Sequence, residues 1–397
     1  MRAVTVATLS GVSLLLGACG SPSAPTAAQA SDSRSLPDQS DRSVLDGTIP
    51  AVMTPSSDGT TPNASAIDPP PPASSPTTTF DTERFTAVNQ ALAQRVRASG
   101  VGGYVLIASK GATLHEHSVG GVTRTTSLGV ASAAKWLTAA TLLTFVDEGM
   151  IGLDDPVLRW LPEFSDGSGS PITVRHLLTH TAGIPDPSWL WEGSRTLVGG
   201  VQEIARGPRQ FEAGSRFTYG NADYYVAGRL IEVLGGADFA SVFRRRIGAP
   251  LGMGATSWPG APSAPSPAAG AVTTAEDYSR FLQLLLDEGV RNGNRILSVA
   301  SVAELMRNQV ANHDLSGDYA VGITKIPRYT LGGWPDVVDG AGTGVIVSGN
   351  GGRGYYPWID RSTGSFGIVA VQDDRGATVA VPASQLVAAV SWNAVRD

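Results

Sequence analysis

Cysteine is almost missing from this chain: Cys19 is the only one among 397 residues, so no disulfide can form within it. Charge is also sparse, with 16% charged residues, a formal net charge of −6 and no basic cluster. That balance argues against nucleic acid as a partner. Several catalytic signatures are absent. There is no Gly-x-Ser-x-Gly elbow and no Walker-type phosphate loop, and the glycines of Gly340-Ala-Gly-Thr-Gly344 lack both the full dinucleotide fingerprint and a following helix. His176 and His180 have the i, i+4 spacing of helical metal ligands, but the glutamate of His-Glu-x-x-His is missing and no third ligand is suggestively placed. The expectation is a short helix whose histidines hydrogen-bond a loop, with no metal or nucleotide cofactor.

What is present begins with an export signal. Arg2 precedes an apolar stretch from Ala3 to Leu16 that is too short for a comfortable membrane span. Leu16-Gly17-Ala18-Cys19 resembles a bacterial lipobox, which implies cleavage after residue 18 and a lipid anchor on Cys19. The expected location is the outer face of the bacterial cell membrane, with secretion as the alternative. Residues 19–80 are rich in Ser, Pro and Thr, carry the run Pro69-Pro70-Pro71-Pro72 and lack apolar periodicity, so they read as a disordered tether. The folded domain is expected over 81–397.

With 42% hydrophobic residues, the domain can bury a large core. An amphipathic helix is expected over Thr82–Ser99, followed by a hairpin from the runs 103–109 and 112–119 around Lys110-Gly111. Further helices are expected at Ala237–Ile247, Thr274–Glu288, Ser298–Gln309 and Ala383–Val395. Strand-like runs lie at Tyr319–Ile326, Gly344–Ser348, Gly354–Ile359 and Phe366–Gln372. The fold class is α+β, an α/β sandwich: an antiparallel sheet from the first hairpin and the last strands, covered by terminal helices and joined to a mostly helical region from about Ser132 to Met306. A groove between the two parts would hold the site.

The chemistry centres on Ser132-Ala133-Ala134-Lys135. After Ser132, the residues Trp136, Leu137, Ala140, Leu143, Phe145 and Val146 recur at helical spacing. The serine therefore opens a buried helix and shares a face with Lys135 at i+3. A serine hydroxyl needs a neighbouring base, and a lysine serves only when burial or positive charge lowers its pKa. The helix amino terminus supplies N–H groups where an oxyanion would form. Tyr219 and Asn221 precede another amphipathic helix, where a loop can present both to a cleft. A tyrosine beside an ammonium can titrate below its usual value and become a base.

Ser132-Ala-Ala-Lys135, LDDPVLRWLPEF, ITVRHLLTHTAGIP and Tyr219-Gly-Asn221 occur in the order seen in the β-lactamase-related serine hydrolases, which include class C β-lactamases, DD-peptidases and similar carboxylesterases. The chain from about Asp81 onward resembles that superfamily. The resemblance implies Ser132 as acylated nucleophile, Lys135 as the group lowering its proton affinity, Tyr219 as general base, and Asn221 as a partner of Lys135 or of the substrate carbonyl. The superfamily's third motif is Lys-Thr-Gly or His-x-Gly, whereas the best match here is Asn350-Gly351-Gly352. Asparagine carries no charge for a substrate carboxylate. Arg353 could replace it, although on a regular strand it would point opposite to Asn350. An N–H from this segment, at Gly352 or Arg353, would join that of Ser132 as the oxyanion hole. The leading expectation is an esterase acting on a small ester. A DD-peptidase or β-lactamase acting on amide or peptide substrates is the second reading, and a non-catalytic envelope-binding lipoprotein the third.

Overall fold

Strand β1 (Gly103–Ser109) is apolar along nearly its whole length, and the reason is visible in its alternation. Tyr104, Leu106 and Ala108 face one hydrophobic core with Trp136 and Phe281, while Val105 and Ile107 face a second with Phe85, Val88 and Leu92. A strand covered on both faces needs apolar residues at both parities. The computed structural model describes residues 83–165, 170–191, 196–260, 264–315 and 317–396. The signal over 1–18, Cys19, the tether over 19–80 and the domain start at Asp81 lie outside the described residues.

In chain order, α1 (Thr86–Ser99), β1 and β2 (Ala112–Val119) are followed by the two-residue β3 (Leu128–Gly129) and α2 (Ala134–Asp147). A helical region continues through α3 (Val174–Leu178), α4 (Leu197–Arg206), α5 (Ala222–Gly235), α6 (Phe239–Phe243) and α7 (Ala249–Leu251). It ends with β4 (Val272–Thr273), α8 (Ala275–Leu286), the ribbon β5 (Val290–Arg291) and β6 (Asn294–Arg295), and α9 (Val299–Met306). Then come α10 (Tyr319–Thr324), β7 (Trp334–Val338), β8 (Gly344–Ser348), β9 (Tyr356–Asp360), β10 (Ser365–Val371) and α11 (Ala377–Arg396).

The main sheet has six strands in the order β2-β1-β10-β9-β8-β7, antiparallel throughout. The first hairpin thus joins the last strands, Leu106 standing opposite Ile368 and Val347 opposite Ile359. Helices α1 and α11 pack on one face, and α2 and α8 close the core on the other. This is the expected α+β sandwich.

One local expectation fails, and one strand went unread. Tyr319–Ile326 is not a strand: Asp318 caps α10, its Oδ1 accepting the N–H groups of Ala320 (2.9 Å) and Val321 (3.1 Å). A capping carboxylate outweighs the weak β preference of a short run. Strand β7 was not anticipated because Pro335 interrupts it. Proline is tolerated there since β7 is a sheet edge.

One buried ion pair ties the terminal elements together. Arg95 of α1 donates from Nη1 to Asp373 Oδ2 at 2.7 Å, just beyond β10, with both side chains buried. Hydrogen bonds from Arg375, with those of Arg95, hold the Asp373 carboxyl far below its ordinary range. Removing one partner strands the other without water. Asp373→Asn should therefore cost about 3–5 kcal/mol, read as a lower denaturant midpoint at neutral pH. Because the folded pKa is depressed, this stabilisation is present above the unfolded value and fades as pH falls towards the folded one. The stability difference between wild type and Asp373→Asn should shrink in acid.

Candidate active site

Ser132 lies in a 3-10 turn, Ala131–Ala133, that runs directly into α2. Ala131 precedes it with φ of +47°, a left-handed conformation that is strained for alanine. The residues of α2 from Ala134 to Phe145 are all buried, so this helix is central to the core and not merely amphipathic. Lys135 has 0% exposure. Its Nζ lies 3.3 Å from Ser132 Oγ and donates to Asn221 Oδ1 at 2.8 Å and to the Ala268 carbonyl at 3.2 Å. Of the two partners open to Asn221, the geometry supplies Lys135, while Asn221 also borders the cleft.

Burial pushes the Lys135 pKa down to about 7, although Asp186 and Asp223 pull the other way. The faces of Tyr219 and Tyr224, 4.8 and 5.6 Å from Nζ, add a weak attraction for the ammonium. Tyr219 behaves differently from expectation. Burial dominates and raises its pKa; the Ser132 hydroxyl acts to lower it, but Asp186 and Asp318 add negative charge, so the net shift is upward. At neutral pH, Tyr219 is a phenol and Lys135 is the group poised to lose its proton.

Asp186 was not singled out from sequence, since an isolated aspartate in a Pro-rich loop carries no periodic signal. Its carboxylate accepts the N–H groups of Asn221 at 2.8 Å and Ala222 at 2.7 Å, fixing the start of α5. Gly220 makes room for it: a β-carbon there would come within 2.7 Å of Asp186 Oδ1.

The two histidines of the i, i+4 pair have different surroundings. His176 completes a capping box with Thr173 on α3, its Nδ1 accepting the Thr173 N–H. His180 lies beyond α3, buried at φ of +58°. Its Nδ1 is 3.0 Å from Asp223 Oδ2, its Nε2 is 3.3 Å from the Tyr329 hydroxyl, and its ring centre is 4.5 Å from that of Tyr219. Burial drives Asp223 up and His180 down, so both are pushed towards their neutral forms. His180 thus supports Tyr219 from behind. Among the described residues, no group of three or more His, Cys, Asp or Glu is arranged to hold a metal.

The Asn350 segment is not a regular strand to its end. Gly349 and Gly351 continue the pairing of β8 with β9 by donating to Pro357 and Tyr355, and the chain then turns at 352–354. Asn350, Gly352 and Arg353 consequently all border the same cleft as Ser132, which corrects the expectation that Arg353 would point away from Asn350. Asn350 is 6% exposed, its Oδ1 accepting from Ser348 Oγ at 3.0 Å and its Nδ2 without a partner among the described residues. Arg353 is half-exposed and paired with Asp374 at 3.1 Å. Gly351 is required: a β-carbon would lie 2.4 Å from the Val130 carbonyl, which belongs to the segment leading to Ser132.

A serine within reach of a buried lysine and a tyrosine, in a groove between an antiparallel sheet and a helical region, defines the class of β-lactamase and transpeptidase-like serine hydrolases. Within that class, residues 88–391 match the Beta-lactamase family, and the chain belongs to it. Penicillin-binding protein 4 of Amycolatopsis lactamdurans is 30% identical over 240 residues, covering 50% of this chain and 63% of that relative. Esterase EstB of Burkholderia gladioli is 31% identical over 182 residues, covering 38% of this chain and 46% of EstB. The chain thus spans less than two thirds of either relative. A solved structure from Bacteroides dorei, provisionally assigned as a beta-lactamase, is 30% identical with a TM-score of 0.72, covering 80% of this chain and 100% of that one.

The pKa order of Lys135 and Tyr219 is testable without a substrate. The rate at which a fluorophosphonate labels Ser132 should rise with pH and reach half its plateau near 7, as Lys135 loses its proton. Asp186→Asn removes a charge that favours the ammonium, so the midpoint should move to lower pH. An unchanged midpoint would dissociate the profile from Lys135.

Proposed function

We propose that this hydrolase cleaves small, uncharged carboxylic esters through an acyl-enzyme on Ser132. The observation that carries this reading is the neutral third position. Asn350 stands buried at the cleft beside Ser132, and among the described residues the arginine bordering the cleft, Arg353, is half-exposed and paired with Asp374. Among the described residues, a carboxylate-bearing substrate would find no dedicated buried cation there, whereas an ester needs only a hydrogen-bond donor. The esterase among the relatives agrees with this reading.

In the first step Ser132 Oγ bonds to the ester carbonyl carbon while its proton passes to neutral Lys135, directly or across the Tyr219 hydroxyl. The carbonyl oxygen becomes an oxyanion, for which the N–H groups at Ser132 and at Gly352 or Arg353 are the donors we assign. Collapse breaks the bond to the alkoxy oxygen, which leaves as the alcohol with the proton returned from Lys135. Water then repeats the sequence on the acyl-enzyme and releases the acid. Tyr219 acts as a phenol that relays the proton, and not as a standing phenolate. Lys135→Ala should lower kcat/KM by about 10²–10⁴.

The second reading, a peptidase or β-lactamase, draws on the penicillin-binding relative. Both are separated by labelling the domain from Asp81 onward with a fluorophosphonate and with a penicillin, on wild type and Ser132→Ala, and locating the adduct by mass spectrometry. Fluorophosphonate labelling at Ser132 without penicillin labelling is the expected result. Stable labelling by both would favour the second reading, and no adduct in the folded protein would remove the acyl-enzyme. Export and anchoring through Cys19 are part of the same proposal, resting on the Leu16–Cys19 motif alone. Replacing Cys19 by Ser should release the protein from the membrane fraction.

A further inference from the structure

The cleft at Ser132, about 610 Å³ in volume, has both polar and apolar lining. Ser132, Tyr219, Asn221 and Asn350 border it, and so do Ala320 and Ile323 of α10, Trp334 of β7, and Ala377 and Val381 of α11, with the Trp334 ring 5.4 Å from that of Tyr219. We infer that this apolar wall is a subsite for the apolar portion of the substrate, so that the enzyme prefers esters with an extended hydrocarbon group over short ones. The inference rests on the ester-hydrolase reading and names the substrate class within it.

Three observations support it. Ile323 is only half-buried and borders the empty space of the cleft, where an apolar group has water to lose by binding. The wall is also rigidly placed, since α10 is held at both ends. At its start, Asp318 caps the helix with Oδ1 and accepts the Tyr219 N–H on Oδ2 at 2.9 Å, so a single carboxylate sets the wall relative to the catalytic tyrosine. At its end, Gln385 of α11 donates from Nε2 to the Thr324 carbonyl at 3.1 Å. A surface fixed before binding loses little freedom when a flexible chain lies against it. Finally, the volume suits a ligand of drug-like size, larger than an acetate ester requires.

The geometry admits the hydrocarbon from either side of the ester, and the test distinguishes the two. One series of p-nitrophenyl esters varies the acyl group from acetate through butyrate and hexanoate to octanoate. A second series varies the alkoxy group on a fixed acetyl ester. In one series, kcat/KM should rise about three- to fourfold per methylene until the cleft is filled, and the responding series identifies the portion bound. Ile323→Ser should lower the long-to-short kcat/KM ratio about tenfold, and Ile323→Trp should move the optimum to shorter chains. Leu386→Ser, at an exposed position elsewhere on α11, should leave the ratio unchanged. A flat response in both series, or a ratio unaffected by either Ile323 variant while Ser132-dependent turnover persists, overturns the subsite and leaves the hydrolase reading intact. Absence of any Ser132-dependent turnover overturns the ester reading instead. In that case the subsite is judged separately, by whether long-chain alkyl fluorophosphonates label Ser132 faster than short ones and lose that advantage in Ile323→Ser.

Discussion

A lysine with no exposed surface is the constraint around which this structure is arranged. Placing Lys135 in the core penalises its charged form and brings its pKa down to about 7 from an ordinary value near 10.5. The unfolded chain binds this proton more tightly, so burial of the amine opposes folding below about pH 7 and the cost fades as pH rises towards the unfolded value. The surrounding fold must offset that cost. It does so with hydrogen bonds to Asn221 and to the Ala268 carbonyl and with two tyrosine faces. Asp186 plays a double part, organising the loop that carries Asn221 while its charge keeps the lysine from falling further.

The same burial divides labour between the two candidate bases. Both groups are driven towards their neutral forms, which makes an amine out of the lysine and a phenol out of the tyrosine. An amine accepts a proton and a phenol passes one on, so the pair is suited to moving a proton to and from Ser132 without holding net charge in a low-dielectric site. His180 and Asp223, packed behind Tyr219, are also driven towards their neutral forms. Asn350, in the third position, adds a buried neutral amide to the lining of the same cleft.

The sheet explains why these groups meet. Ser132 and Lys135 come from the first helix after the hairpin, Tyr219 and Asn221 from the middle of the chain, and Asn350 from the end of β8. Pairing β1 with β10 brings the two ends of the domain into one sheet, and the β8–β9 turn then lies against the segment before Ser132, close enough that Gly351 admits no side chain.

Much of this was legible in the residues themselves. Helical periodicity after Ser132, the hairpin around Lys110-Gly111 and the apolar runs of β8 to β10 follow from local pattern, and four phrases in one order carry the family. The i, i+3 spacing alone places Ser132 and Lys135 on one face. The strand read at Tyr319–Ile326 shows where local pattern stops, because a single capping aspartate decided for helix. Other features have no local signature at all. The direction of the Tyr219 shift, the role of Asp186 and the shared cleft of Asn350 and Arg353 depend on desolvation and on distances between segments far apart in sequence. Residue types and their spacing determined which groups could do chemistry here. Tertiary burial alone decided which of them keep their protons, because a pKa is set by the surrounding dielectric and by charges that only folding brings near.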